Sequence, residues 1–287
     1  MNIIERSRQA WNRESAAGSE WSIPVGPEVT GAARQGSWQV ILTPNRAVPP
    51  DWFGELRGSR VLCLASGGGQ QAPVLAAAGA DVVSFDLSDE QLAKDRLVAE
   101  RDDLSIRCVR GDMRDLSVFA DETFDIIFHP ISNVFVPDVL PVWRECHRVL
   151  RVGGRLLAGF MNPAFFLFDH DQAVASGTLA VTHVLPYSEP ASLEPEARRR
   201  WEEGGEAAQF SHSLEAQIGG QIAAGFALTG FYEDTWSDAA TPLNRFTPTA
   251  IATRAVKPQL PGAASSAPEP HRIPDRYDQP AGQVEER

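Results

Sequence analysis

Short apolar runs alternate with longer amphipathic stretches between residues 60 and 162. Five runs are too short for helices and end at small or polar residues, and we predict that they are buried strands: RVLCL, DVVSFD, SIRCVR, TFDIIFHP and GGRLLAGF. The stretches between them have helical composition or periodicity: QQAPVLAAAG, SDEQLAKDRLVAER and DVLPVWRECHRVL. Strands that alternate with helices pair in parallel through right-handed crossovers, so the pattern predicts a doubly wound α/β sheet that is covered on both faces.

Two of these helices have sequence signals at their ends. Gly79 follows the first at a position typical of a helix C-cap. Ser88 opens the second and Gln91 stands three residues later, which is the spacing of a capping box. After a further helix at HSLEAQIGGQIAAG we predict two more strands, FALTGFYED and PTAIATRAV, and the short connection between them is consistent with an antiparallel pair.

Residues 1–51 do not follow this alternation. They contain several prolines together with Trp11, Trp21 and Trp38, whereas disordered segments are poor in aromatic residues. We therefore expect the segment to pack on the domain, as a cover on a face of the sheet or as a lid over a ligand cleft. The two roles are compatible.

The main domain is predicted to span residues 52–257 with one interruption. The stretch 163–211 breaks the strand–helix pattern after the fifth strand, and we interpret it as an insertion. Residues 258–287 are rich in proline and polar residues and have no apolar period, which predicts a disordered tail.

Charge and hydropathy exclude several classes of protein. The net charge is −12 and the isoelectric point about 5.0, so the chain would repel a phosphate backbone and nucleic acid is not an expected partner. No apolar stretch reaches about 18 residues and the start lacks the apolar core of a signal peptide, so we expect a cytosolic chain without membrane contact. Cys63, Cys108 and Cys146 lie in apolar runs and are interpreted as reduced core residues, and no metal site is expected.

Three consecutive glycines, Gly67 to Gly69, stand where the first strand ends and the next helix begins. Parallel sheets form ligand sites at the carboxyl ends of their strands, and glycine allows a close backbone approach with positive φ. The free N–H groups at the start of the helix, near Gln70, face the same cleft. The turn therefore favours a nucleotide-like ligand, with a tight turn that binds nothing as the alternative.

Two acidic residues follow the next two strands. Asp86 ends the second strand, where a carboxylate can accept hydrogen bonds from both hydroxyls of a ribose; a helix cap or a solvent-facing strand end is the alternative. Asp112, in the tripeptide GDM after the third strand, can accept from an adenine amino group while Met113 packs on the ring. Together with the glycine turn, these residues predict a nucleoside pocket.

Several classes of protein bind a nucleoside in this way. GGGQQA, from Gly67 to Ala72, also satisfies the dinucleotide fingerprint, so an NAD(P)-dependent oxidoreductase is one alternative and a non-catalytic nucleoside-binding protein is another. The acid after the third strand and the closing pair of strands favour a different class of enzyme.

The glycine turn, the two acids, FDIIF and especially RVLRVGGRL resemble the class I S-adenosylmethionine-dependent methyltransferases. The resemblance covers residues 60–162 and returns at 213–255. It implies a Rossmann-like, mostly parallel seven-stranded sheet with a reversed last strand. Two residues depart from the usual glycine motif: Cys63 stands where an acid is common, and Ala65 where a glycine is common.

The resemblance also implies which residues bind S-adenosylmethionine. The turn would line the methionine part, Asp86 the ribose, and Asp112 with Met113 the adenine, while the end of the fourth strand could supply backbone carbonyl groups. The complete set implied is Ala65, Ser66, Gly67, Gly69, Gln70, Asp86, Leu87, Asp112, Met113, Phe128 and His129.

The chemistry implied is in-line displacement of a methyl group from a sulfonium by a nucleophile. His129 is the candidate base, since the end of the fourth strand faces the methyl group in this fold; a structural histidine is the alternative. HPISN differs from the Asn/Asp-Pro-Pro-aromatic motif of enzymes that methylate DNA bases or glutamine, which argues against those substrates. We expect a small-molecule acceptor, and a protein that is a monomer or a homodimer. The N-terminal segment and the insertion should cap the acceptor, with aromatic side chains as its walls: Trp21, Trp38, Phe165 and Phe168.

Overall fold

A seven-stranded sheet forms the centre of the molecule, which we describe from a computed structural model of residues 2–237 and 239–259. The predicted disordered tail, 258–287, lies outside the described residues apart from its first two. The strands are β1 (Arg60–Leu64), β2 (Asp81–Asp86), β3 (Ile106–Arg110), β4 (Phe124–His129), β5 (Leu150–Met161), β6 (Ala227–Asp234) and β7 (Ala250–Val256).

The strand order across the sheet is β3-β2-β1-β4-β5-β7-β6. The first five strands pair in parallel, and β7 runs antiparallel between β5 and β6. The connection from β6 to β7 holds a short 3₁₀ turn (Pro242–Arg245) in place of a crossover helix, so the chain returns in the opposite direction. This topology confirms the predicted Rossmann-like sheet with a reversed last strand.

Apolar side chains of the sheet build one core on each face. Val61 and Cys63 of β1 belong to the first core, which is completed by helix α3 (Gln71–Ala77) and by residues 40–56. Leu62 and Leu64 belong to the second core, under helix α5 (Leu140–Val149). Successive strand side chains point to opposite faces, so a strand covered on both faces is apolar throughout, as the short runs in the sequence are.

In the structure, the helices largely end where the sequence predicts. Gly79 lies just beyond the C-cap of α3 with a φ of +103°. Ser88 caps α4 (Asp89–Arg101), and its side chain accepts from the Gln91 N–H at 3.1 Å. The capping box is only half formed, because the Ser88 N–H donates to Asp86 at 2.9 Å and not to Gln91. The Gln91 side chain is thereby left for the cavity described below.

The N-terminal segment contains two helices that the sequence did not predict, α1 (Ile3–Ala17) and α2 (Pro27–Arg34). Its later part packs Trp38 against the first core, together with the buried side chains of Val40 and Leu42. The earlier part approaches the glycine turn. The segment thus contacts both a sheet face and the ligand edge of the sheet.

The insertion after β5 is mostly helical. A 3₁₀ turn (Pro163–Leu167) is followed by α6 (His170–Ser176), α7 (Glu189–Ser192) and α8 (Pro195–Gly204). The chain then forms a π-helical turn (Glu215–Gly219) that continues into α9 (Gly220–Ala223). None of the helices in the described part of the chain is long and apolar enough to cross a membrane.

All three cysteines are free, but they differ in burial. Cys63 and Cys146 are fully buried in the two cores, as predicted. Cys108 is only half-buried, which corrects its assignment to the core. The reason is its position on β3, which is an edge strand with one neighbour in the sheet.

Candidate active site

The carboxyl ends of β1 to β5 border one large cavity of about 710 Å³. Each strand contributes residues at or just beyond its end: Ala65, Ser66 and Gly67 after β1, Asp86 and Leu87 at β2, Asp112 and Met113 after β3, Ile131 and Ser132 after β4, and Met161 at β5. Ligand sites of parallel sheets form at this edge. The volume lies within the roughly 300–1,000 Å³ typical of small-molecule sites.

The three glycines of the turn contact two different parts of the molecule. Gly67 lines the cavity. Gly68 and Gly69 have φ angles of +114° and +75°, which favour glycine, and both lie under the N-terminal segment. A Cβ on Gly68 would lie 2.5 Å from the carbonyl oxygen of Trp21, and the Gly69 carbonyl accepts from the Val25 N–H at 2.9 Å. Gly69, expected at the cofactor, therefore faces the N-terminal segment and not the cavity.

Gln70, also expected at the cofactor, lines the cavity, but its side chain is hydrogen-bonded to the N-terminal segment. Its side-chain N–H donates to the carbonyl groups of Glu20 and Ile23 at 2.8 and 3.2 Å. The turn and the N-terminal segment are thus tied together by backbone and side-chain hydrogen bonds.

A fully buried carboxylate, Asp95 of α4, holds the glycine turn in place. Its Oδ1 accepts from the Gly69 N–H at 2.8 Å, and its Oδ2 accepts from the Ser84 hydroxyl at 2.5 Å. Burial raises the pKa of Asp95 to about 7, because the desolvation of the charged form outweighs these two hydrogen bonds.

Replacing Asp95 with asparagine should remove a pH dependence of folding stability. An aspartate in an unfolded chain ionises near pH ~4, so the stability that Asp95 contributes is present below that pH and is lost as the pH rises through about 7. The amide can still accept from Gly69 and donate to Ser84. Relative to the wild type, the free energy of unfolding of Asp95→Asn should therefore rise by about 1–3 kcal/mol between pH 5 and pH 8. Urea unfolding at both pH values measures it, and a difference that does not change with pH would contradict it.

Asp86 lines the cavity at the end of β2 and already accepts two backbone hydrogen bonds. Oδ2 accepts from the Gly67 N–H at 3.0 Å and Oδ1 from the Ser88 N–H at 2.9 Å. A carboxylate offers about four acceptor positions, so one remains on each oxygen. Burial raises the pKa of Asp86, since desolvation outweighs the backbone bonds. The two backbone bonds hold the carboxylate where two vicinal hydroxyls can reach it, and the next residue, Leu87, adds an apolar wall.

Asp112 also lines the cavity, and its position is fixed by an ion pair. The Arg114 guanidinium lies 2.6 Å from Asp112 Oδ2 and also donates to Oδ1. The residue before Asp112 is Gly111, and a larger residue does not fit there because its Cβ would overlap the Phe85 ring. Met113 lines the same part of the cavity and packs on the second core. The GDM tripeptide thus places a carboxylate beside an apolar surface. Arg114 donates to both of its oxygens through its side chain and to Oδ1 through its backbone N–H at 3.0 Å, so an adenine amino group would share these acceptors with Arg114.

Two further polar atoms at this end of the cavity are buried without a hydrogen-bond partner among the described residues. They are Ser66 Oγ and Gln91 Oε1, and both residues line the cavity. Buried polar atoms are normally paired, because an unpaired one costs about 1–3 kcal/mol. Ala65, with a φ of +49°, takes the backbone conformation that a glycine would adopt more easily at this position. These features fit a ligand that brings hydroxyl, amino and carboxylate groups, as S-adenosylmethionine does.

Phe128 and His129 do not line the cavity. Phe128 is fully buried and stacks on Phe53, with 6.3 Å between ring centroids. His129 is also fully buried: its Nδ1 lies 3.0 Å from the Leu64 carbonyl oxygen and its ring packs edge-on against Trp143. Burial lowers the pKa of His129 to about 4, so the neutral ring donates from Nδ1 to that carbonyl. These are the contacts of a structural histidine.

Three of the four aromatic residues expected on the acceptor side line the cavity: Trp21, Phe165 and Phe168. Trp38 does not, since it packs in the first core. Trp236, between β6 and β7, contacts Trp21 edge-on at 5.8 Å between centroids and stacks on Phe165 at 6.3 Å. The N-terminal segment and the insertion therefore meet over the cavity through Trp236.

Three contributors to this cavity were not predicted from the sequence. Helix α1 lines it with Ile4, Ser7 and Trp11, and the capping residues Asn2 and Gly18 are its signals in the sequence. Trp236 stands alone in a loop, without a pattern that would single it out. The third contributor is a group of acidic and amide residues in the insertion: Asp169, Asp171, Glu189 and Gln209.

His170 and His183 differ in how they are held. His170 stacks on Phe165, its Nδ1 lies 2.8 Å from the Thr241 hydroxyl and its Nε2 lies 2.7 Å from the Phe165 carbonyl oxygen. Both ring nitrogens of His170 are therefore engaged. His183 packs against Tyr187, with 4.9 Å between ring centroids. Within residues 2–237 and 239–259, no three His, Cys, Asp or Glu side chains are grouped so that they could hold a metal ion.

Known proteins resemble the chain in sequence and in fold. The sequence profile of the family described as "Methyltransferase domain" matches residues 62–158. The "Uncharacterized methyltransferase YbaJ" of Bacillus subtilis (strain 168) is 49% identical over 255 residues, which are 89% of this chain and 98% of that protein. A "Demethylmenaquinone methyltransferase" of Beutenbergia cavernae is 35% identical over 148 residues, 51% of this chain and 58% of that protein.

A solved S-adenosylmethionine dependent methyltransferase from Mesorhizobium loti has the same fold, with a TM-score of 0.56 and 21% identity over 72% of this chain and 94% of that one. The antiparallel β7 and these relatives exclude the oxidoreductase and the non-catalytic alternatives that the glycine turn alone left open. The chain belongs to the class I S-adenosylmethionine-dependent methyltransferases.

Proposed function

We propose that the enzyme transfers the methyl group to a small-molecule acceptor by in-line displacement. The observation that carries this proposal is the continuity of the cavity, which extends from Asp86 and Asp112 to the aromatic residues Phe165 and Trp236. Helix α1 and the insertion both line it, so the donor and the acceptor would react in a space bounded on several sides. A cavity of about 710 Å³ suits a cofactor together with a small acceptor better than a polymer.

In this proposal the chain's residues position the two reactants. Asp86 and Asp112 hold the nucleoside, Ser66 and Gln91 offer unpaired polar atoms beside it, and the aromatic side chains hold the acceptor. S-Adenosylmethionine supplies a methyl group on a sulfonium, which is itself the leaving group. Alignment and exclusion of water can lower the barrier of such a reaction by about 7–11 kcal/mol.

Helix α1 is well placed to act as the lid. Arg8 lies 3.2 Å from Asp89 Oδ2 at the start of α4, and Asn12 accepts from the Ser88 hydroxyl at 2.7 Å. On the other side, Arg6 and Arg13 donate to carbonyl groups at the C-terminal end of α8. Cations are favourable at that end of a helix, where carbonyl groups lack partners. We infer that α1 joins the sheet domain to the insertion across the acceptor side of the cavity.

We propose a positioning role, not proton transfer, for His129. Its Nδ1 is committed to the Leu64 carbonyl group at the end of β1, and its pKa is lowered to about 4. Through this bond the side chain ties the ends of β1 and β4 together beside the glycine turn.

The names of some relatives support a small acceptor. The Beutenbergia cavernae relative is named a demethylmenaquinone methyltransferase, and others are named ubiquinone biosynthesis O-methyltransferases. Both names refer to small molecules. The name of the YbaJ relative specifies no acceptor.

The proposal is tested with a bacterial extract separated at about 1 kDa and with methyl-labelled S-adenosylmethionine. We expect label to enter a product in the fraction below the cut-off, because a bounded cavity admits small acceptors. The fraction of proteins and nucleic acids should remain unlabelled, and heat-denatured enzyme is the control. Label found only in the macromolecular fraction would contradict a small-molecule acceptor while leaving methyl transfer itself intact.

A further inference from the structure

Among the described residues, the Asp, Glu, Lys and Arg side chains that line the cavity are all acidic; the other titratable side chains that line it are His170, His183 and Tyr187. Five carboxylates line it, whereas no Lys or Arg side chain within residues 2–237 and 239–259 does. Asp86 and Asp112 lie at the nucleoside end of the cavity. Asp169, Asp171 and Glu189 lie at the insertion end. Asp112 is neutralised by its ion pair with Arg114, which does not line the cavity. The three carboxylates of the insertion end thus lie in the part of the cavity left for the acceptor.

Glu189 is the most enclosed of these three. It is half-buried, and its Oε2 accepts from the Gln209 N–H at 2.9 Å. Arg6 is near enough to favour the charged form, but it donates to the carbonyl groups at the end of α8 and does not line the cavity. Burial nevertheless raises the pKa of Glu189, so a cation bound beside it would relieve an unfavourable charge. Asp169 and Asp171 are exposed, and Asp169 Oδ1 also accepts from the Gln172 N–H at 2.9 Å, which caps α6.

Two other kinds of group at this end favour a cation. Trp21, Tyr187 and Trp236 line the cavity, and aromatic faces attract ammonium groups. Phe165 lines it too, but His170 and Trp236 stack on its ring. Ser7 of α1 also lines it: this residue is 2% exposed, and its hydroxyl oxygen has no hydrogen-bond partner among the described residues. That oxygen can accept from an N–H group. Aromatic faces with carboxylates and an unpaired hydroxyl form a suitable environment for an amine.

We propose that the acceptor end of the cavity selects molecules that carry an amine, bound as an ammonium ion, and rejects those that carry a carboxylate or phosphate. This inference rests on the proposed small-molecule function and specifies its substrate class. An anionic acceptor would meet three carboxylates, and no lysine or arginine of the described part of the chain lines the cavity to pair with it. Like charges at short range repel, most strongly at the half-buried Glu189, whereas an ammonium ion is attracted by the same groups.

The test uses three probes of similar shape and different charge: 2-phenylethylamine, 2-phenylethanol and phenylacetate. Calorimetry on the full chain saturated with S-adenosylhomocysteine gives their affinities at pH 7 without requiring turnover. We expect the amine to bind at least 10-fold more tightly than the alcohol and at least 100-fold more tightly than the carboxylate. Equal affinities, tighter binding of phenylacetate, or binding of none of the three would overturn the proposal.

Variants identify the groups responsible. Glu189→Gln combined with Asp171→Asn should reduce the preference for the amine over the alcohol by about 10-fold and leave the affinity for the alcohol unchanged. Glu203→Gln, an exposed substitution on α8 outside the cavity, is the matched control and should keep the preference. An amine preference that survives the double substitution would overturn the assignment to these carboxylates. S-Adenosylhomocysteine is titrated first: failure to bind it counts against the proposed function itself, whereas binding without amine preference counts only against this inference.

Discussion

Replacing Asp86 with asparagine should weaken S-adenosylmethionine binding by about 10- to 100-fold. The carboxylate holds two backbone N–H groups and keeps one acceptor position on each oxygen for the ribose hydroxyls. The amide has the same shape but no charge, and one of its two ends donates where the carboxylate accepts. Hydrogen bonds to a charged group contribute about 1.5–3 kcal/mol, so the loss should amount to one to two powers of ten in affinity. Calorimetric titration with S-adenosylmethionine measures it.

Asp81→Asn is the matched control for this substitution. Asp81 begins the same strand at its opposite, exposed end and does not line the cavity, so its variant should bind like the wild type. Asp86→Ala should weaken binding further, because it also removes the acceptor for Gly67 and Ser88. Since burial raises the pKa of Asp86, the wild-type affinity should also fall as the pH is lowered through that pKa, and Asp86→Asn should lack this fall. Wild-type affinity in Asp86→Asn would contradict the assignment of Asp86 to the ribose.

The sheet and the nucleoside end of the cavity could be predicted because they depend on local sequence. A buried parallel strand needs a short apolar run, and RVLCL and DVVSFD are such runs. The positions of Asp86 and Asp112 follow from where β2 and β3 end, since the carboxyl ends of parallel strands share one edge. Backbone pairing of the strands then brings Asp86 and Asp112 together, and no particular side-chain contact between them is needed.

The position of His129 could not be predicted in the same way. Alternation of apolar and polar residues would show which side of a strand faces solvent, but every residue of β4 is buried. The sequence therefore does not indicate which side chains at its end face the cavity and which face a core. Trp21 and Trp38 present the same difficulty, because both are aromatic residues in an irregular segment and only one of them lines the cavity.

Helix α1 was not predicted because its apolar residues are few and its partners are remote. Its apolar side chains include Ile3, Ile4 and Trp11, which make a narrow apolar face for a helix of 15 residues. Arg8 pairs with Asp89, which is 81 residues away, and Arg6 donates to Trp201, which is 195 residues away. Such contacts depend on the completed fold and leave no pattern in the local sequence.

Removing α1 should lower methyl transfer by about 100-fold or more while the sheet domain still folds. The deletion should cover residues 2–18, since a longer one that reaches Trp38 would also take away part of the first core. Without α1, the wall formed by Ile4, Ser7 and Trp11 is lost, so water enters and the acceptor is less well aligned. The groups at Asp86 and Asp112 remain, so cofactor affinity should fall less than turnover. Single-turnover kinetics and calorimetry measure the two effects, and circular dichroism reports the fold.

Point substitutions distinguish the loss of the contacts between α1 and α8 from the loss of the whole helix. Arg6→Met with Arg13→Met keeps α1 but removes its donors to the end of α8, and we expect turnover to fall about 10-fold with a smaller change in cofactor affinity. The matched control is Arg199→Met with Arg200→Met, two exposed positions on α8 that do not line the cavity, which should leave both quantities unchanged. If the enzyme without residues 2–18 keeps full turnover, α1 is a structural cover only and the acceptor must be held by the insertion and by Trp21 and Trp236 alone.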